Sequence, residues 1–341
     1  TKVQSTSTAA LAPPPATVPT GIVAYVPITI TNSQSTATPA PFQQMIQFSE
    51  SSYSNYIAYN GNIANFEFFT QSGSVIPAWI ESNQSGNLII WVKLANGIPA
   101  SSNTIIYLGF ASKTTNLLSS SGTSGIGEAP KLSSTYAQYD DGASVFNNYW
   151  NFAGTSLPSG WTSALNGGSI NINNGLTISS SSSKTTLAIS PSITPLSNGE
   201  IFEQYVNVPS SINYGLVAGY GTTSSSTDTQ NGYFGGFDTD ISTASGIWRT
   251  SSGSFSQLAS ASFPGAGTYI LGLSWAGSSL VATTNYNSFA SATSTTFSLS
   301  QVNQIVLRNA NADGTSTTYW LRTRAYPPSG VMPSYSFGSV V

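Results

Sequence analysis

Residues 21–32 read GIVAYVPITITN, and this stretch indicates the fold class. Val26, Ile28 and Ile30 point to one side of an extended chain, while proline and threonines point to the other. This period of two is that of a β-strand with one buried face. Pro27 has no N–H to donate to a neighbouring strand, so the pattern predicts a position at the edge of a sheet.

Similar strand patterns follow along the chain, separated by Asn, Gly, Ser and Pro. In the first half they are PFQQMIQF (41–48), ANFEFFT (64–70), VIPAWIES (75–82), NLIIWVKL (87–94) and NTIIYLGF (103–110). In the second half they include EIFEQYVNV (200–208), GYFGGFDTD (232–240), GIWRT (246–250), TYILGLSWAG (268–277) and SLVATTN (279–285). LIIWV is apolar on both faces, which predicts a central strand. The spacing is typical of antiparallel sandwiches, so we predict an all-β protein of two antiparallel β-sandwich domains.

The composition is that of a folded protein with very little charge. Of 341 residues, 39% are hydrophobic and 12% aromatic, enough for about two domains with buried cores. Only 6% are charged, against about 25% in ordinary soluble domains. With 9 cations, 12 anions and a net charge of −3, the chain has no basic face for nucleic acid. A hydroxyl- and amide-rich surface suits an acidic exterior, where carboxylates lose their charge.

Cysteine and membrane-spanning patterns are both missing from the sequence. With 0 Cys the fold has no disulfides, and two domains of this size can be stable without them. No apolar run approaches the roughly 18 residues that a membrane helix needs. The sequence starts at Thr1, as a processed chain would. We therefore expect a secreted protein of the extracellular cell surface.

Residues 1–20, TKVQSTSTAALAPPPATVPT, have too few large apolar residues to fold alone and indicate an extended arm. One side of that arm would present Val3, Ser5, Ser7, Ala9 and Leu11. Pro13, Pro14 and Pro15 follow as a stiff hinge. The hypothesis is that the arm acts as a donor strand, which leaves its own subunit and pairs with an open sheet edge of a neighbour. The alternative is a disordered N-terminus.

Three blocks within residues 21–112 resemble a family of secreted domains of unknown function, common in archaeal and bacterial envelope proteins. The blocks are VAYVPITITN, FEFFTQSGSVIPAWIES and IIWVKLANGIPASSNTIIYLGF, and they occur in the family's order. The resemblance implies a β-sandwich domain over residues 21–135, whose last part is a Ser/Thr/Gly-rich connector. It brings no catalytic residue.

Two further segments resemble the first and last strands of concanavalin-like, laminin-G-type jelly rolls. They are FAGTSLPSGWT (152–162) and TTYWLRTRAYPP (317–328). The resemblance implies a jelly-roll domain over residues 136–341. A fold of this kind does not by itself carry an activity.

Catalytic chemistry has few candidates in this chain. Without His or Cys, the usual nucleophile–base pairs and soft metal sites are missing. Asp238 and Asp240 share a strand face and come nearest to a glycosidase carboxylate pair, but a solvated turn pair is the simpler interpretation. Asp140 and Asp141 could offer oxygen ligands to Ca²⁺, yet adjacent acids before a glycine more often form a turn. The sequence therefore predicts no catalytic residue, no metal and no cofactor.

Aromatic side chains are the remaining binding candidates. Those that could stack on sugars are Trp150, Trp161, Trp248, Trp275 and Trp320. If Leu321 faces the core, Trp320 lies outside with Arg322 and Arg324 and forms a contact patch. The alternative is an aromatic–Arg stack that closes a sheet edge. Asn83 begins the sequon Asn-Gln-Ser in a polar turn and is a candidate glycosylation site.

The whole chain resembles the archaeal thread-type pilus, whose subunits are secreted, charge-poor, glycosylated and joined head to tail by donor strands. The resemblance implies a non-enzymatic subunit of an extracellular filament, active in adhesion or biofilm formation, whose partners are copies of itself. Two alternatives stay open. One is a carbohydrate-binding surface adhesin that contacts glycans or neighbouring cells, and the other is a polysaccharide-degrading enzyme.

Overall fold

The computed structural model describes residues 13–181, 184–209, 215–222, 231–238, 244–262, 264–310 and 314–341. The donor-strand positions of the predicted arm, from Val3 to Leu11, lie outside these ranges. The chain divides into two compact units. Unit 1 holds the described residues up to Ala129 together with the segments Tyr139–Val145 and Pro327–Val341, and unit 2 holds Pro130–Gln138 and Phe146–Tyr326. No helix in the described ranges is long and apolar enough to cross a membrane.

Unit 1 begins as a sandwich of two small sheets. Its first strands are β1 (Ile22–Asn32), β2 (Phe42–Ser49), β3 (Phe66–Phe69), β4 (Val75–Ile76), β5 (Ala78–Gln84), β6 (Asn87–Leu94), β7 (Ser102–Ala111) and β8 (Gly127–Glu128). A 3-10 helix at Glu50–Tyr53 and the short helix α1 (Gly142–Val145) accompany them. One sheet has the order β2-β6-β5-β8, and the other contains β1-β7-β3-β4. The prediction of a central strand at residues 87–94 is confirmed, since β6 lies between β2 and β5.

Unit 2 is a larger sandwich. Its strands are β9 (Asn148–Trp150), β10 (Thr162–Ala164), β11 (Ser169–Ile172), β12 (Leu176–Ser179), β13 (Thr185–Ile189), β14 (Glu200–Val208), β15 (Leu216–Gly221), β16 (Gly232–Asp238), β17 (Ala244–Ser251), β18 (Ser254–Ser262), β19 (Gly267–Ala276), β20 (Ser279–Thr284), β21 (Asn287–Thr293), β22 (Gln304–Ala310) and β23 (Ser316–Ala325). A seven-stranded sheet has the order β10-β13-β22-β15-β16-β17-β18. An eight-stranded sheet has the order β11-β12-β23-β14-β19-β20-β21, and β9 also pairs with β23. A 3-10 helix at Leu299–Gln301 follows β21. The predicted all-β class, with two antiparallel sandwiches, is confirmed.

The chain then returns to unit 1. After a 3-10 turn at Pro328–Gly330 it forms β24 (Ser334–Phe337), which pairs antiparallel with β1 and becomes the fifth strand of that sheet. Two expectations differ from this arrangement. The jelly-roll range of 136–341 included the returning segment, which belongs to unit 1. Pro27 does not lie on an edge strand, because β1 is paired on both sides and the carbonyl of Pro27 accepts a hydrogen bond from the N–H of Gly338 (2.8 Å).

Aromatic side chains fill both cores. Those of unit 1 that are fully buried include Phe66, Phe68, Trp79, Trp91 and Tyr107, and those of unit 2 include Tyr220, Tyr233, Trp248 and Trp275. Each such ring removes about 150–250 Å² from water, which accounts for stable units without disulfides. On β19 the side chains of Leu271, Leu273 and Trp275 share one face and are buried, whereas Tyr269 on the same face is partly buried.

Candidate functional site

Of the two acidic candidate pairs, the structure describes both residues of one, Asp140 and Asp141. Asp238 is the last residue of β16, and Asp240 lies outside the described residues, so the pair stays untested. Within the described ranges no three Asp or Glu side chains cluster as metal ligands. Asp140 makes a turn, in which its Oδ1 accepts hydrogen bonds from the indole N–H of Trp79 (2.8 Å) and the backbone N–H of Gly142 (3.1 Å).

The predicted contact patch on the last strand of unit 2 is wrong. Trp320, Arg322 and Arg324 are only 2%, 0% and 6% exposed, and β23 is a central strand of its sheet. Their face of β23 is covered by other side chains of unit 2. The Arg322 guanidinium lies 4.5 Å from the ring centre of Phe146 and 4.6 Å from that of Trp320, and Tyr205 stacks on Trp320 at 5.7 Å. The alternative of a structural aromatic–Arg stack agrees with this geometry, although it does not close an edge.

Glu203 on β14 explains why these two arginines are tolerated inside the protein. Its Oε2 accepts a hydrogen bond from Nε of Arg322 (2.7 Å), and its Oε1 accepts one from Nη2 of Arg324 (2.6 Å). Burial opposes ionisation of this carboxyl, but Arg324 and Arg322 outweigh burial and hold its pKa well below the ordinary value. Arg322 also donates from Nη2 to the hydroxyl of Tyr286 (2.9 Å). The group is a buried structural ion network rather than a binding surface.

Glu200 lies three residues earlier on β14 and faces the other side of the sheet. In the antiparallel pairing of β14 with β23, Glu200 lies opposite Ala325 and Glu203 lies opposite Arg322. Burial raises the pKa of Glu200 to about 7, although hydrogen bonding with Thr323 and Asn147 opposes the shift. This carboxyl is therefore largely neutral in mildly acidic solution.

The tryptophans that were candidates for sugar stacking lie mostly inside unit 2. Trp161, Trp248, Trp275 and Trp320 are buried, and the partly buried Trp150 packs edge-on against Trp161 at 5.3 Å. The sequence suggested these rings because of their type. Trp161 and Trp275 belong to the main core of unit 2, Trp248 belongs to a second apolar cluster, and Trp320 is covered by Tyr205.

One surface depression of unit 2 does have a lining suited to a ligand, and we call it the hydroxyl hollow. It has a volume of about 410 Å³. The residues that line it are Ser197, Gly277, Ser278, Ser294, Thr295, Phe297, Ser298, Leu299 and Ser300. They come from the turn between β19 and β20, the segment that follows β21, and the loop before β14. Sequence reasoning missed this site, because three distant, Ser-rich segments build it.

Buried groups hold the walls of the hydroxyl hollow in place. The hydroxyl of Tyr233, from β16, donates to Oγ of Ser294 (2.7 Å) and accepts from the backbone N–H of Phe297 (3.1 Å). The ring of Phe297 packs edge-on against Tyr233 at 5.5 Å, and Tyr233 in turn packs against Trp275 at 4.7 Å. The aromatic core therefore fixes the position of the one ring that lines the hollow.

Two further contacts stiffen the same loop. The backbone N–H of Ser294 donates to the carbonyl of Ser278 (2.9 Å), which ties the wall to the β19–β20 turn. Ser298 and Gln301 form a capping box, in which the Ser298 N–H donates to Oε1 of Gln301 (2.7 Å). The hollow is thus largely formed before any ligand arrives.

Asn83, the candidate glycosylation residue, is near the end of β5 and half-buried. Its Nδ2 donates to Oε1 of Glu50 (2.7 Å), and its Oδ1 accepts from the N–H of Gly86 (2.9 Å). Ser85 and Gly86 form the two-residue turn between β5 and β6, both with positive φ (54° and 80°). A second depression of about 520 Å³ borders this turn.

The proline hinge contacts its own unit. The carbonyl of Pro13 accepts a hydrogen bond from the hydroxyl of Tyr107 (2.7 Å), and the carbonyl of Pro14 accepts one from the side chain of Gln71 (2.6 Å). The N–H of Ala16 donates to the carbonyl of Gln71 (2.8 Å). The segment that leads to the predicted arm is therefore fastened to the turn between β3 and β4.

Comparison with known proteins gives one sequence relative and several structures of related shape. No protein-family model matches the chain. "Uncharacterized protein 562" of Sulfolobus islandicus rod-shaped virus 1 is 40% identical over 134 residues, a match that covers 38% of this chain and 22% of that protein. The chain thus spans about a fifth of the length of this relative.

Three solved structures illustrate the fold-level likeness. A carbohydrate-binding module, CBM66 of Bacillus subtilis, has a TM-score of 0.38 and 18% identity, and the match covers 48% of this chain and 95% of the module. The Emp47p carbohydrate recognition domain has a TM-score of 0.39 and 8% identity, over 50% and 90% of the two chains. The Ca²⁺/Man3GlcNAc-bound VIP36 exoplasmic/lumenal domain has a TM-score of 0.38 and 10% identity, over 52% and 93%. Likeness at this level does not support a shared function.

Proposed function

We propose that this chain is a non-enzymatic, carbohydrate-binding protein of the extracellular surface, and that the hydroxyl hollow takes a neutral saccharide. The observation that carries the proposal is the lining of the hollow. Six of the nine lining residues carry a hydroxyl, one contributes an aromatic ring, and none of the described lining residues is charged. A volume of about 410 Å³ lies within the roughly 300–1,000 Å³ of small-ligand sites.

The chemistry of this lining matches a sugar ring. Each hydroxyl can both donate and accept a hydrogen bond, as the hydroxyls of a saccharide require. Phe297 and Leu299 offer apolar surface to the C–H face of the ring. Since Tyr233 and the capping box already fix the walls, little conformational entropy is lost when a ligand binds. A charged sugar would find no counter-ion among the described lining residues.

A glycan array followed by calorimetry tests the proposal. We expect the full chain to bind one or more neutral glycans, and Phe297→Ala to weaken binding by at least about tenfold, or about 1.4 kcal/mol. Phe255→Ala is the matched control, because Phe255 is also a partly buried phenylalanine of unit 2 but does not line the hollow. If no glycan binds, or if both variants bind like the parent chain, the assignment fails.

A second candidate function, a filament subunit joined by donor strands, is supported by the anchored hinge. Hydrogen bonds from Tyr107 and Gln71 fix the carbonyls of Pro13 and Pro14. Twelve residues precede this anchor, and in an extended conformation they could reach a neighbouring subunit. The arm would pair with an open sheet edge of that neighbour, and repetition would give a head-to-tail polymer.

Deletion of Thr1–Ala12 separates this candidate from the first. We expect the truncated chain to lose assembly into fibres, as seen by negative-stain electron microscopy, and to keep glycan binding. A control with Val3 and Leu11 exchanged in position retains composition and length, and should still assemble if backbone pairing dominates. Fibres formed by the truncated chain would exclude the arm as the connector.

A further inference from the structure

Residues 334–341, which we call the tail, pair along one edge of β1 in unit 1. Beyond the four paired residues of β24, the N–H of Gly338 donates to the carbonyl of Pro27 (2.8 Å). Tyr25 and Val341 then exchange both backbone hydrogen bonds (3.0 and 2.9 Å). Residues 334–341 therefore cover the edge of β1 that would otherwise present unpaired N–H and C=O groups.

Side chains of the tail also reach the second sheet of unit 1. The hydroxyl of Tyr335 accepts from the backbone N–H of Gln47 (2.9 Å) and donates to its carbonyl (3.2 Å), so it occupies backbone groups at the free edge of β2. The ring of Phe337 packs against Phe48 at 5.9 Å and Tyr53 at 6.0 Å. We call the surface beneath the tail, made of the edges of β1 and β2 together with Phe48 and Tyr53, the strand groove.

The hinge before the tail is strained in the observed conformation. Ser329 has φ of 55° and Gly330 has φ of 74°. A non-glycine residue in the left-handed region costs on the order of 1 kcal/mol. Two backbone hydrogen bonds, from Gly330 to Pro327 (2.9 Å) and from Val331 to Pro328 (3.0 Å), hold this turn closed. Pro327 and Pro328 keep the approach to it stiff.

From these observations we infer that the strand groove is a strand-binding site that takes residues 333–341 of a second copy of this chain. In such an exchange, every hydrogen bond and ring contact of the tail is remade in the partner copy. Opening the hinge releases the left-handed conformation of Ser329, which offsets part of the loss of the two hydrogen bonds of the turn. What opposes exchange is the entropy of bringing two copies together, which concentration offsets. The inference does not depend on the hydroxyl hollow.

A shortened hinge tests the exchange directly. Deletion of Ser329 and Gly330 removes the two residues that let the tail return to its own unit. We expect this variant to be a dimer by light scattering, whereas Ser329→Gly, which relieves the strain, should be more monomeric than the parent chain at equal concentration. A folded, monomeric deletion variant would overturn the inference.

A nicked chain provides a test that does not require a truncated protein to fold. A protease site inserted between Ser329 and Gly330, both exposed, is cut after the full chain has folded. A dye-labelled peptide of residues 331–341 should then enter the strand groove and displace the cut tail. The same peptide with Tyr335→Ala and Phe337→Ala should bind at least about tenfold more weakly. No exchange, or equal binding of the two peptides, contradicts the inference.

Discussion

At the scale of single residues, one buried carboxylate of unit 2 is paired with two buried arginines. Glu203 serves two arginines at once, and all three side chains are at least nine-tenths buried. Such a network contributes little net stability compared with apolar residues of the same volume, but removal of one member leaves the others uncompensated. The chain has only 9 cations, and two of them are used here for structure rather than for binding.

Glu203→Gln should therefore destabilise the protein strongly. Two guanidinium groups would lose their carboxylate partner in the interior, which costs about 3–5 kcal/mol. The measurement is the free energy of unfolding in urea near neutral pH. Glu50→Gln is the control, since Glu50 is partly exposed and contacts Asn83 only through one hydrogen bond. A loss of less than about 1 kcal/mol for Glu203→Gln would mean that water reaches the two arginines.

At the scale of elements, hairpin turns and edge strands fix the registers of the sandwiches. The β5–β6 hairpin has its two turn residues, Ser85 and Gly86, at positive φ, as a type I′ turn requires. Serine is less suited to the first position than asparagine, which tolerates the left-handed region better. The turn also carries the hydroxyl of the predicted glycosylation sequon, so Ser85 belongs both to the turn and to the predicted sequon.

Ser85→Asn is expected to separate these two roles. Asparagine should stabilise unit 1 by roughly 0.5 kcal/mol because it suits the type I′ turn. The same change removes the predicted sequon at Asn83, and we expect mass spectrometry of the protein from its native host to show a mass lower by one glycan than that of the parent chain. Gly86→Ala is the opposite control, since a Cβ at φ of 80° is strained. An unaltered mass in Ser85→Asn would mean that Asn83 is not modified.

At the scale of the whole molecule, several buried acids among the described residues accept hydrogen bonds from neutral donors. In unit 1, Glu67 accepts from the N–H of Gly125 (2.9 Å), Glu81 from the indole of Trp91 (2.8 Å) and Glu128 from the hydroxyl of Tyr59 (2.8 Å). Burial raises the pKa of Glu67, and burial raises the pKa of Asp141 to about 6. A fold with such acids is better suited to acidic than to neutral surroundings.

Stability should consequently be highest in mildly acidic solution. Glu200 and Asp141 have raised pKa values of about 7 and about 6, so their contribution is complete below the unfolded values of 4.5 and 3.8 and is lost as pH rises through 6 to 7. Glu203 has a lowered pKa, so its contribution is present above 4.5 and is lost as pH falls further. We expect the unfolding temperature of the whole protein to peak near pH 4 to 5 in calorimetry.

Glu200→Gln provides the matched variant for this pH dependence. Glutamine imitates the neutral carboxyl and does not titrate. The free energy of unfolding should therefore fall less steeply between pH 4.5 and 7, because unfolding no longer releases the proton of Glu200. The acid side of the profile, which depends on Glu203, should stay the same. An unchanged slope above pH 4.5 would show that other groups control it.

The sequence by itself determined the all-β class and many strands, because a two-residue hydrophobic period and turn residues are local signals. β6 and β14 have the predicted limits, and the apolar run at 87–94 correctly indicated a central strand. Local alternation separates the two faces of a strand but does not say what covers each face. For this reason Trp320 and Arg322 looked exposed on β23, although Phe146 and Tyr205 cover them.

Only the tertiary structure decided the long-range features of this protein. The return of β24 to β1 joins residues about 300 positions apart, and no local pattern encodes such a pairing. The hydroxyl hollow likewise draws on three separated Ser-rich segments that resemble ordinary loops in the sequence. Both features arise from the packing of whole sheets, which sets the neighbours of each strand after its own period has fixed its faces.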